Sequence, residues 1–243
     1  MEKKLKHKEV IKLVKRNEAK EVLSSLAGYA QKNTENIIIA VAAVAVIAVG
    51  VPLFMSSRAN NEVKAQQILA KANFFLTRPV VDQKDAQMYG MFRTRAERTE
   101  KAIMAYNEVI QNYKGTKSLA YAYLGVADAY YNDSKAKESI EYYNTFIERF
   151  PKHALASQAY LGRARAYMDS GNYAQALEDL KAAAAALSGS PVDEREIRYL
   201  TALCHEKMND LASARKEYSE LAGEGGGNYW AGLAAERLKE AGI

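Results

Sequence analysis

The chain has little of what covalent and catalytic chemistry needs: one cysteine, three histidines and four prolines in 243 residues. The lone cysteine, Cys204, has no partner for an intramolecular disulfide, so packing must hold the fold. It stands in a helix-forming stretch and reads as a small packed side chain. No cysteine closely follows an N-terminal apolar segment, so there is no lipid-attachment signal. His7, His153 and His205 lie far apart and lack the spacing of metal ligands. HExxH, Walker, GxSxG and CxxC patterns are all missing. The stretch Gly225-Gly226-Gly227 is followed by Asn228, not by a Lys-Ser/Thr pair, and reads as a flexible link. Asn132-Asp133-Ser134 matches a glycosylation sequon, but a turn between helices explains it more simply. With no convergent catalytic set, the reading is of no enzyme, no metal site and no cofactor.

The excess of positive charge is confined to one end. The net charge is +5, yet residues 1–36 carry nine basic and five acidic side chains and the remainder is nearly balanced. The folded part therefore lacks the concentrated positive face of a nucleic-acid binder. The local cluster Arg93, Arg95, Arg98 and Lys101 reads as a solvated helix face.

What is present begins with one uncharged run, Ile37 to Met55. At about 1.5 Å per residue its nineteen residues match the roughly 30 Å hydrocarbon core of a bilayer. A cleaved signal has a shorter apolar core and a shorter leader. A buried core helix without a charge or amide over that length is unusual. The run reads as a transmembrane helix, with Pro52 near its end, where a helix has few bonds left to lose. The lysines of the tail (Lys3, Lys4, Lys6, Lys8, Lys12, Lys15, Lys20, Lys32) and Arg16 outnumber Arg58, Lys64 and Lys71 just after the run. Positive charge stays in the cytoplasm, so the tail is expected there and the rest outside the cytoplasm.

The tail also carries Val10, Ile11, Leu13, Val14, Leu23, Leu26 and Ala27 at loose helical spacing. Three readings stay open for it: a helix on an anionic leaflet, a solvated tail that only fixes topology, and a docking peptide for a partner.

From Ala59 onward the chain is helix-forming, with Pro79, Pro151 and Pro191 its only prolines. It repeats. A shift of 37 residues carries Tyr123 to Tyr160, Ala127 to Ala164, Tyr130 to Tyr167, Ser134 to Gly171 and Ser139 to Ala176. A further shift of 38 carries Ala164 to Ala202, Gly171 to Asn209, Ala176 to Ala214 and Leu180 to Tyr218. The backward shift of 37 reaches Ala102 and Tyr106. Each unit reads as two helices joined by a polar turn. Small residues mark the close crossing: Ala127 with Ser139, Ala164 with Ala176, Ala202 with Ala214. One pair cannot bury its apolar face alone, so neighbours must stack. Tyr229 to Ala241 reads as a lone capping helix. The expected fold is all-α: a basic tail over 1–36, a transmembrane helix over 37–55, a juxtamembrane helix and long loop over 56–98, and an α-solenoid over 99–243.

The pattern resembles the tetratricopeptide repeat, most clearly in Tyr160, Ala164, Tyr167, Gly171, Tyr173 and Ala176. The first unit has Ser134 at the turn glycine and keeps the closing Pro151. The third has His205 and Asn209 at the tyrosine and glycine positions. The resemblance covers Ala120 to Ala222 and extends as a half-unit to Thr99, with Val63 to Leu76 a candidate first helix across a long loop. The order of parts is similar to that of bacterial ancillary SecYEG translocon subunits, and the units to those of periplasmic envelope proteins. This resemblance implies protein partners, among them the translocon, periplasmic chaperones or emerging chains, beside the lipid bilayer. The second function class is an enzyme or metal-binding domain disguised by the repeats, which the lack of a convergent catalytic set speaks against; the remaining alternative is a self-assembling structural subunit or coordinator of a cell-envelope machine, with which a homo-oligomer would go. The resemblance also implies a groove lined by the first helix of each pair: Tyr121, Leu124, Asp128 and Tyr131; then Gln158, Leu161, Arg165 and Met168; then Glu196, Tyr199, Leu203 and Glu206. The family's Lys/Asn carboxylate clamp is absent, so C-terminal chaperone tails are not the expected ligand. The alternative for each of these tyrosines is packing between repeats.

Overall fold

The computed structural model describes residues 7–81, 92–187, 193–225 and 227–242. Among them are ten α-helices: α1 (His7–Lys32), α2 (Thr34–Thr77), α3 (Arg95–Asn112), α4 (Ser118–Asn132), α5 (Ala136–Arg149), α6 (Ala156–Asp169), α7 (Tyr173–Ala185), α8 (Glu194–Lys207), α9 (Leu211–Gly223) and α10 (Tyr229–Ala241). The only strand-like contact among the described residues is an isolated bridge between Val80 and Phe92. The middle of the loop expected around Pro79 to Tyr89, and Gly226 of the glycine stretch, lie outside the described residues. Two compact units divide the chain, Met1–Ala59 and Asn60–Ile243.

In the first unit, the apolar side chains of α2 from Ile38 to Met55 stand exposed on every side of the helix. A helix apolar all round belongs in lipid or in a core, and here none of the described residues covers it. α2 is the one described helix long and apolar enough to cross a membrane. It does not end soon after Pro52, as the position of that proline suggested, but continues to Thr77. Proline removes one backbone hydrogen bond and crowds the carbonyl a turn before it. The bonded turns on both sides carry the helix past that local defect.

The second unit is a stack of helix pairs. Residues 60–77 of α2 pair with α3: Ala65 and Ala72 are fully buried beside Ala102, Tyr106 and Val109. Then follow α4 with α5, α6 with α7, and α8 with α9, each helix packing on the next, and α10 closes on α9 and α8. The small residues sit where the helices cross. Ala127, Ser139, Ala164, Ala176, Ala202 and Ala214 all have no exposed surface.

The turns within pairs share one geometry. Ser134, Gly171 and Asn209 have φ of 60°, 75° and 63°. Each left-handed residue lets the next amide fold back on the helix: Lys135 N donates to Tyr130 O at 3.0 Å, Asn172 N to Tyr167 O at 2.8 Å, and Asp210 N to His205 O at 2.9 Å. The preceding amides bond Tyr131 O, Met168 O and Glu206 O in the same order. This is the two-bond helix stop that glycine favours and asparagine tolerates. Pair-to-pair contact uses a second device. A side chain on Gly125 would meet the ring of Tyr106, and one on Gly162 the ring of Tyr143. Both tyrosines and both glycines are 37 residues apart. Each ring lies across the bare backbone of the next first helix.

Candidate protein-binding groove

First helices of consecutive pairs bring four of the expected groove residues together. Tyr121, Leu124, Asp128 and Gln158 line one cavity of about 420 Å³ with Leu69, Asn73, Leu76, Tyr106, Gly125, Asn132 and Leu155. Its walls are leucines and tyrosines, and its polar groups are mainly carboxamides. Tyr121 stands 50% exposed at its rim, edge-on to the His153 ring at 5.7 Å. Leu124 forms the floor and is buried.

Asp128 is held from behind. The Tyr143 hydroxyl donates to its Oδ1 at 2.5 Å. Burial pushes the Asp128 carboxyl above its usual range, while the Tyr143 bond and the Arg165 charge pull it down. Burial and the same carboxylate raise the Tyr143 hydroxyl far above the ordinary tyrosine value. One pair earlier the arrangement recurs with a neutral acceptor: Tyr106 Oη donates to Asn73 Oδ1 at 2.5 Å, and burial pushes its pKa up to about 12.

The remaining expected residues are spread along the stack. Arg165 on α6 is paired with Glu196 on α8. Tyr131 is half-buried; burial and then the neighbouring Asp169 raise its pKa. Leu161 is buried in the core of the second pair with Ala164, Ala176 and Leu180, and Met168 packs against that cluster. Leu203 is half-buried. Tyr199 lies between Tyr218 and Trp230, with ring centroids 5.7 and 5.6 Å away. Glu206 is gripped by Arg237 of α10, whose Nε donates at 2.9 Å, and accepts from Tyr218 Oη at 3.1 Å. The Arg237 bond leads the effects that lower its pKa, against partial burial. Cys204 is buried, and its thiol is pushed up to about 11.

Leu69, Asn73, Leu76, Asn132 and Leu155 were not among the expected groove residues. Three of them belong to the stretch Val63 to Leu76, the candidate first helix of the half-unit. The 37-residue shift carries Leu124, Asp128 and Tyr131 only to positions 87, 91 and 94; a shift of 55, across the long loop, is needed to reach Leu69, Asn73 and Leu76. Among the described residues, no group of three or more His, Cys, Asp or Glu is placed to hold a metal ion.

Models of the tetratricopeptide repeat match residues 121–153, which is the α4–α5 pair, and residues 161–229, which run from α6 to the start of α10. Both stretches are tetratricopeptide repeats. No curated protein matches the chain. Tetratricopeptide repeats are protein-interaction modules whose stacked first helices form an extended binding surface. Here the matched repeats account for α4 to α9. The pair formed by residues 60–77 and α3 follows the same packing rule outside the matched stretches.

Proposed function

We propose that the protein is a membrane-anchored scaffold that holds a segment of another protein in the cavity beside Tyr121. Residues 37–55 anchor it in the bacterial inner membrane, the basic tail over 1–36 is cytoplasmic, and the repeats over 99–243 are periplasmic. The bound chain is a partner or unfolded protein at an inner-membrane complex such as the Sec translocon. The observation that carries this reading is the cavity. It is open, its leucines and tyrosines come from three consecutive pairs, and Asn73, Asn132 and Gln158 can pair with a peptide backbone. The reading has no catalytic role for the chain.

The test is a photo-crosslinker at position 121 in the full chain, in membranes of its host, against a control at Glu178 on α7. Crosslinked partners should appear at 121 and not at 178. With the crosslinker moved to position 158 of the same cavity, Tyr121→Ala should weaken crosslinking about tenfold or more, as truncation of an aromatic anchor commonly costs about 2 kcal/mol. The helical circular-dichroism signal should stay. Partners retained at parent levels would put the binding surface elsewhere. Protease added to spheroplasts checks the topology: the repeats should be digested before the inner membrane is broken. Tyr121 is a cleaner probe than Leu124 or Leu161, which are 4% and 3% exposed. Truncating either opens a core cavity, at about 2–5 kcal/mol.

A further inference from the structure

We propose that α1 lies along the anionic surface of the membrane that α2 crosses, with Val22, Leu23, Leu26 and Tyr29 pressed into the headgroup layer. The inference rests on the anchor reading of residues 37–55. It narrows the three readings of the tail to one.

The first observation is a stripe. Val22, Leu23, Leu26 and Tyr29 are 57%, 65%, 59% and 65% exposed. Their spacing of i, i+1, i+4 and i+7 puts them on one face of a helix, with Ala19 and Ala30 between. Glu21, Ser24, Gly28, Gln31 and Lys32 fall on the opposite face. Lys15 continues the line of the stripe towards its N-terminal end and Arg16 borders it, where long cationic chains can reach phosphates while apolar neighbours sink; Glu18 stands at the other border.

The second observation is distance. Leu26 precedes the start of the apolar run by eleven residues, about 16 Å of helix. The headgroup layer is only about 5–8 Å thick on each side. A helix continuing straight out of the bilayer would hold the stripe in water, beyond any lipid. A helix laid flat would bury it.

The third observation is the junction. α1 ends at Lys32, Asn33 is a turn, and α2 begins at Thr34. Asn33 Nδ2 donates to Tyr29 O at 3.0 Å, and Thr34 Oγ1 lies 2.9 Å from Ala30 O and 3.0 Å from Gln31 O. Side chains therefore already serve the last carbonyls of α1. Such back-bonding favours bending, and the chain can turn here without stranding those carbonyls. The joint lies just outside the apolar run, where a helix would have to turn to lie on the surface. The fourth observation is charge: the excess of basic residues in 1–36 complements anionic lipid.

The experiment places an environment-sensitive nitrobenzoxadiazole label on the full chain through Leu26→Cys, Ser24→Cys or Val44→Cys, one at a time. Cys204 is buried and stays unlabelled in the folded protein. Each sample is put in nanodiscs of phosphatidylcholine alone or mixed with phosphatidylglycerol, and quenched with acrylamide. The expected result is a blue shift and protection at position 26 in the anionic discs, with position 24 quenched severalfold more. Protection at 26 should fall in phosphatidylcholine alone. Equal quenching at 24 and 26 overturns the proposal, and so does equal protection at 26 in both lipids. Bismaleimide crosslinking between copies through position 26 also overturns it, because a second copy would then cover the stripe. Position 44 separates the two readings. If it is quenched, the anchor is wrong; if it is protected while 26 is not, only the surface helix is wrong.

Discussion

Gly162→Ala tests the stacking device most sharply, because two effects of known sign oppose each other at one atom. A helical glycine replaced by alanine ordinarily gains about 1 kcal/mol of stability. At Gly162 the added carbon would lie 2.7 Å from Tyr143 Cε1 and nearer still to Cζ and Oη. An ordinary contact between carbons is about 3.5–4.0 Å. The ring is 1% exposed, and Asp128 holds its hydroxyl, so it has little freedom to retreat. Overpacking of this kind costs about 1–3 kcal/mol, which outweighs the helical gain. At Gly232 in α10 an added carbon meets nothing within 4 Å. There the helical term acts alone. Thermal unfolding of the full chain in detergent should therefore fall for Gly162→Ala and rise for Gly232→Ala. Each kcal/mol moves the midpoint by about 2–4 °C for a domain of this size. Adding Tyr143→Leu to Gly162→Ala should recover part of the loss, giving a favourable coupling of about 0.5–3 kcal/mol. A Gly162→Ala protein as stable as its parent would refute the ring-over-backbone contact.

Two further outcomes follow from single polar groups. Ser139 is fully buried, and its hydroxyl has no hydrogen-bond partner among the described residues. The equivalent positions hold Ala176 and Ala214, so Ser139→Ala should leave stability unchanged or raise it by about 1 kcal/mol in urea unfolding. Glu206 has a lowered pKa when folded, so its contribution is full above the ordinary glutamate value of about 4.3 and is lost as pH falls through the lowered folded value. Acid should therefore loosen α10 first, seen as a Trp230 fluorescence change below about pH 4, and Arg237→Ala should remove that local transition. Asp128 acts in the opposite sense, its carboxyl being raised by burial, but it lies on α4 and not beside Trp230.

The 37-residue recurrence of Ala127 and Ala164, or of Ser139 and Ala176, marks the helix pairs in the order of residues alone, because a close crossing admits only small side chains wherever it occurs. The equivalence of Ser134, Gly171 and Asn209 likewise located turns that need a left-handed residue. Both are local or periodic demands, and local demands are written into the order of residues. The apolar run from Ile37 to Met55 belongs to the same class, since length and lack of charge are properties of the string.

Which residue meets which was decided only by the tertiary structure. Glu62 of α2 accepts from Lys117 N at 2.6 Å and from Ser118 Oγ at 2.7 Å, so it caps a helix that begins more than fifty residues later. α4 has no side-chain cap of its own. Tyr121 and Tyr199 both appeared as groove tyrosines, yet one stands at the rim of an open cavity and the other packs between Tyr218 and Trp230. Asp128 and Glu206 are both held by tyrosine hydroxyls from behind, and a second grip on Glu206 comes from the closing helix. A helical period tells which face a side chain occupies. It does not tell how deep the neighbouring helices leave it, because that depth is set by side chains tens of residues away along the chain.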